Sequence, residues 1–229
     1  LTDDPAGRER VFLLTARLAA RTAHELNNAL AVLSGHLYLL RTSSDSPEES
    51  YQAMEKSLAH VRRLAESLSQ LGLLGAGETQ AFELNDLVRS AAENLTNPVR
   101  LDLSESLPIL HGRPNDVAQV LDALLANANE ASPSGAEVRV VTRAASGDTA
   151  ALLVVEDRGS GLAPEIRDRV FDPFSTTKGE RGRGIGLICA AAAAAAWGGT
   201  CQIEDREEGG SRATLSFPLP GSQTRSREG

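Results

Sequence analysis

Two cysteines, one methionine, one tryptophan and 3% aromatic residues are all this chain of 229 residues has of the side chains on which many sites are built. Cys189 and Cys201 belong to no CxxC pair or His-rich cluster. That leaves no cysteine zinc site; one disulfide between them is an alternative, and the reading taken is two reduced, small core residues. With aromatics so scarce, the core must come from Leu, Val and Ala. No run reaches the roughly 18 apolar residues of a membrane span. The longest, ICAAAAAAAW at 188–197, is short and has the composition of a packed helix. No direct membrane contact is expected, and no secretory signal is visible. Positive charge is also short: 23 Lys and Arg stand against 31 Asp and Glu, a net −8. That argues against nucleic acid as a partner, and it requires any phosphate-bearing ligand to be held by local donors. What remains, 41% hydrophobic and 24% charged, is the balance of a soluble globular protein of one or two domains. The chain opens on Leu1, so an upstream part is expected.

The organisation changes once along the chain. Phe12, Ala16, Ala19, Ala23, Leu26, Leu30, Leu33, Leu37 and Leu40 follow one another in alternating steps of four and three. That pattern predicts a helix over 7–41 with a coiled-coil-like seam. In the turn TSSDSPEES, Ser46 suits an N-cap, Pro47 the first helical position and Glu49 the capping box. A second helix is predicted to about residue 74, with Met54, Leu58, Val61, Leu64, Leu68 and Leu71 on one face. One antiparallel hairpin cannot bury two such seams. Two hairpins can, as a four-helix bundle, so a homodimer is expected. The first domain is set at 6–75 and a linker at 76–80. A second domain, 81–220, mixes helical segments (one at 114–131) with short strand-like runs and two hairpins. It is expected to be a two-layer α/β sandwich with helices on one face of a mixed sheet. Residues 221–229 read as a disordered tail.

The stretch TAHELNNAL at 22–30 sits on the first seam. With Ala23 and Leu26 on the seam, His24 falls one residue off it, toward solvent. Asn28 lies one turn on, at the spacing where side chains meet, and Glu25 is adjacent and also outward. A neutral imidazole is a nucleophile, a carboxylate can accept its other N–H, and a carboxamide can orient a water. Taken alone, the stretch is an ordinary solvated polar face.

Three strings downstream change that. QVLDALLANANEA (119–131) places Asn127 on a helix otherwise rich in Leu and Ala; its amide oxygen suits a hard cation such as Mg²⁺. In VVEDRGSGLAPE a strand ends at Asp157, an acceptor for an exocyclic amine, and Gly159 and Gly161 let the chain turn close to a ligand. In FDPFSTTKGERGRGIGLICAAAA, Phe174, Thr176, Thr177 and Lys178 supply a ring, hydroxyls and a cation. Arg183, Gly184, Ile185, Gly186 and Leu187 then lead into the Ala-rich helix, whose first amides and dipole make a phosphate site. Each string is weak alone; their order and spacing are not.

Together these strings resemble the bacterial two-component sensor histidine kinases. TAHELNNAL is similar to their H box, QVLDALLANANEA to the N box, VEDRGSGL and GRGIGL to the two glycine boxes and VFDPFSTTK to the F box. The short loop and FSTTK resemble the nitrogen-regulation subgroup. The resemblance implies a dimerisation and phosphoacceptor domain followed by an ATP-binding domain of the type found in gyrase and Hsp90. It implies His24 as phosphoacceptor, Glu25 as its acid/base partner and Asn28 as an aid to phosphatase activity. Asn127 would ligate Mg²⁺ and Asp157 would read adenine, with Gly159 and Gly161 shaping the pocket. Phe174 and Thr176 to Lys178, with Arg183 to Leu187, would hold or cover the ATP phosphates. The implied partner is a receiver domain of a response regulator, and the implied location the cytoplasm. Two departures stand out. Ala123 occupies the place of a second amide, and Ala29 that of a proline, so a straighter helix is expected. Ala123 keeps open a degenerate kinase acting mainly as phosphatase or phosphotransfer scaffold. A non-histidine ATPase or Ser/Thr kinase on the same ATP-binding fold is a third reading.

Overall fold

The computed structural model describes residues 5–42, 47–73, 78–172 and 186–219. Two long helices, α1 (Pro5–Thr42) and α2 (Pro47–Leu73), form the expected antiparallel hairpin. The helix α1 runs unbroken through Ala29, as the absence of proline there allows.

The side of α1 that meets α2 differs from the expected seam. Thr22 and Ala29 are buried on α1, and Ser50, Ser57 and Leu64 on α2, each series at steps of seven. Ser57 donates its hydroxyl to the Ala29 carbonyl at 2.9 Å, and His36 Nδ1 shares a hydrogen bond with Ser50 Oγ at 3.2 Å. Small side chains let the two backbones approach. The leucine seam is thereby rotated away: Leu26, Leu33 and Leu40 are half-buried, and Ala16, Ala23, Leu30 and Leu37 are exposed. The heptad pattern was legible, but it does not mark the face turned to α2.

The rest of the chain is the expected mixed sheet under helices. A two-stranded piece, β1 (Gln80–Phe82) with β3 (Leu110–Gly112), is antiparallel. The main sheet has the order β2 (Val99–Leu103), β4 (Val138–Ala144), β5 (Ala150–Glu156), β7 (Ser211–Pro218), β6 (Thr200–Asp205). Only β2 and β4 run parallel; the other neighbours are antiparallel. Alternation along the strands buries Val138 and Val140 of β4, Leu153 and Val155 of β5 and Leu215 and Phe217 of β7 against helices. These helices are α3 (Leu84–Ala92), α4 (Pro114–Ala131) and α5 (Gly186–Ala196). Val117, Leu121, Leu124 and Ala128 recur at helical spacing on the buried face of α4. Trp197, just past α5, stands edge-on between Phe82 and Phe217 with ring centroids 5.7 and 5.5 Å away, tying β1 to the main sheet. Cys189 is buried and Cys201 half-buried, and burial pushes their thiols up to about 11 and about 12. The helix α5 packs against α4 and also against α1, so the hairpin is in contact with the sandwich.

Candidate nucleotide site and phosphoacceptor helix

Three elements of the sandwich converge at the C-terminal half of α4. The first is α4 itself, which carries Asn127 half-buried one turn before its end. The second is the start of α5: a Cβ at Gly186 would lie 3.3 Å from Asn127 Nδ2 and 3.4 Å from Ala123 Cβ. The position that lacks the second amide therefore lies against the start of α5. The third is the segment leaving β5. A Cβ at Gly159 would lie 2.7 Å from the Ala131 carbonyl oxygen, so only glycine lets this segment settle on the end of α4. Gly161 has φ +78° and faces Asp205, which accepts the Leu162 N–H at 2.6 Å and pairs with Arg167 at 2.6 Å.

Asp157 is 5% exposed, and its carboxylate is fixed from both sides. Oδ1 accepts the backbone N–H of Gly159 at 2.8 Å and of Ser211 at 3.1 Å, and Oδ2 accepts the Ser211 hydroxyl. Arg206 donates to the Asp157 carbonyl at 2.6 Å. A carboxylate held this way at a buried strand end presents a fixed acceptor and leaves the ligand no reorganisation to drive. Ser211 and Arg206 were missed by sequence reasoning, which saw only a hairpin turn in EEGGS. Ser211 follows the double glycine of that turn, and the register Glu156 opposite Arg212 sets it beside Asp157.

Of the nucleotide-site residues named from sequence, the structure brings together Asn127, Asp157, Gly159, Gly161, Gly186 and Leu187 around α4 and the end of β5. Phe174, Thr176, Thr177, Lys178, Arg183, Gly184 and Ile185 lie outside the described residues. Among the described residues no group of three or more His, Cys, Asp or Glu could hold a metal. Asn127 offers one hard amide oxygen, which suits a cation whose other ligands come from a nucleotide's phosphates.

The phosphoacceptor candidates lie on α1. His24 and Asn28 are exposed, one turn apart, as expected. Glu25 departs from expectation: it is half-buried and turned toward α2 rather than outward. Its carboxylate lies 3.4 Å from His60 Nε2 and 3.8 Å from Arg21 Nε.

Comparison with known proteins fits this arrangement. Residues 112–221 match the family described as histidine kinase-, DNA gyrase B-, and HSP90-like ATPase. Sporulation kinase D of Bacillus subtilis is 30% identical over 222 residues, covering 91% of this chain and 43% of that kinase. This chain is a homologue of the sensor histidine kinases. Its C-terminal half carries the ATPase domain of that family. The fold is shared with the histidine kinase ThkA solved in complex with the response regulator TrrA (TM-score 0.61, 22% identity, 93% of this chain and 64% of that one). It is shared too with full-length ShkA in complex with AMPPNP (TM-score 0.59, 22% identity, 89% of this chain and 45% of that one). The chain spans less than half the length of the curated relatives it matches. Among the described residues no helix is long and apolar enough to cross a membrane.

Proposed function

We propose that this chain is the kinase part of a two-component sensor, which binds ATP in the sandwich, phosphorylates His24 and passes the phosphoryl group to an aspartate of a response regulator. The observation that carries the reading is the convergence of Asn127, Asp157, Gly159 and Gly186 on one helix of an ATPase fold, in a chain whose hairpin leaves His24 open to solvent. Asp157 accepts the adenine amine, and the first amides of α5 face the phosphates. Asn127 would lend its amide oxygen to Mg²⁺, and that cation would supply charge neutralisation at the phosphates. Phosphoryl transfer leaves the protein mainly positioning and charge stabilisation. A lone pair of the neutral His24 ring forms the N–P bond, and the γ-phosphorus to oxygen bond breaks with its electrons leaving on ADP. The proton of the other ring nitrogen passes to Glu25. Asn28, one turn on, is placed to orient a water for the reverse, hydrolytic reaction on the regulator. The exposed surface around His24 is the docking site for the receiver domain, and a second copy of the chain completes the bundle.

The test is incubation with γ-labelled ATP and Mg²⁺. Acid-labile label that disappears in His24→Gln, with nucleotide binding retained, supports the reading. Nucleotide binding without label, or acid-stable label, overturns it.

A further inference from the structure

The orientation of Glu25 implicates a residue that stands outside every motif. Glu25 reaches across the hairpin to His60 on α2, with Oε2 3.4 Å from Nε2, and to Arg21 one turn back on α1. Among the described residues no hydrogen bond or ion pair joins Glu25 to His24. The side chain of His60 is 35% exposed and that of Glu25 24%, so the contact is open to solvent yet close enough for a charge to be felt across it.

We propose that His60 is a positioning residue that, when protonated, holds Glu25 in an ion pair on the α2 side and withholds it from His24, so that acid brakes phosphorylation. The inference rests on the reading of His24 as phosphoacceptor and Glu25 as its proton acceptor. To take a proton from the imidazole, Glu25 must be ionised and uncommitted. A cationic His60 at 3.4 Å attracts the Glu25 carboxylate and fixes its rotamer on the α2 side. A neutral His60 does neither. Histidine is the side chain whose ordinary charge change falls between about pH 5 and 8.

The other groups around the contact do not reproduce this behaviour. From α1, Arg21 lies 3.8 Å from Glu25, and a guanidinium does not act as a switch in this range. Lys56 and Arg63 stand one turn either way from His60 on α2, and neither is a histidine. The helix α5, packed on α1, carries Cys189 as its one titratable side chain, held neutral by a thiol pushed up to about 11. His24 itself must be neutral to attack, so it also slows the reaction in acid. That effect is common to every variant that keeps His24, and it cancels in a ratio.

The experiment measures single-turnover autophosphorylation of the full chain at saturating ATP and Mg²⁺, from about pH 5.5 to about pH 8. Wild type is compared with His60→Gln and His60→Leu, with circular dichroism to follow folding. The expected ratio of variant to wild-type rate is near one at the alkaline end and rises to about threefold at the acid end, the factor a half-exposed ion pair supports. The KM for ATP stays unchanged. A flat ratio, or a loss at every pH, is what a structural role alone gives, and either overturns the proposal. Gln keeps a polar side chain at the site, so it decides the matter if the Leu variant does not fold. The wider reading fails in a different way: no acid-labile label in wild type at any pH removes His24 as acceptor, and the brake with it.

Discussion

Asp157 shows how much of a site rests on one side chain. Its two oxygens accept three hydrogen bonds, from Gly159 and twice from Ser211, in a place 5% exposed. Asp157→Asn removes the charge and turns one acceptor into a donor facing these groups. Nucleotide affinity is expected to fall at least about tenfold, the lower end of what one lost buried hydrogen bond costs, as read by titration calorimetry. The two thiols give a second prediction at this scale. With Cys189 at about 11 and Cys201 at about 12, raised by burial, both stay protonated at neutral pH. Since the thiolate is the reactive form, neither should be alkylated by iodoacetamide in the folded chain near about pH 8, and both should react in urea. Asp157, Asn127 and His24 could be picked out as candidates because each sits inside a short string with its helpers. Ser211 and His60 were not. Ser211 lies 54 residues beyond Asp157 and His60 lies on the other helix from Glu25, so only chain return brings them in.

Among the elements, α4 was read over its exact span, Pro114–Ala131, because proline and a strict apolar periodicity mark it. The strand β1 was missed: three residues carry no period, and their state is decided by the pairing with β3. The solvent face of the main sheet carries a feature that no single strand reveals. Asp102 of β2, Arg139 of β4, Glu156 of β5, Arg212 of β7 and Glu204 of β6 alternate in sign across all five strands. Arg206 adds a third cation near Glu156. Burial opposes ionisation of Glu156, but the hydrogen bond from Arg212 and the charges of Arg212, Arg206 and Arg139 outweigh it, so its carboxyl is held below the ordinary range. A carboxyl lowered by folding stabilises the fold above its unfolded value and loses that contribution as pH falls through the folded one. Glu156→Gln is therefore expected to cost about 3 kcal/mol near neutral pH. The gap from wild type should shrink below about pH 4, as read by urea unfolding at each pH.

For the whole molecule, the unpartnered leucine face of the hairpin matters most. Leu30 is 54% exposed, Leu37 51% and Leu58 56%, while α1 and α2 meet through Thr22, Ala29, Ser50, Ser57 and Leu64. Replacing Leu30 and Leu37 with Asp is expected to convert a dimer to monomers in sedimentation, while the sandwich still binds nucleotide. The sequence by itself determined the two long helices and the order of helices and strands, because periodicity and turn signals are local. Tertiary structure decided which side of α1 meets α2, that Glu25 turns to His60, and that Ser211 fixes Asp157. Those outcomes depend on how closely backbones approach and on sheet register, and both are set by residues far apart in the chain.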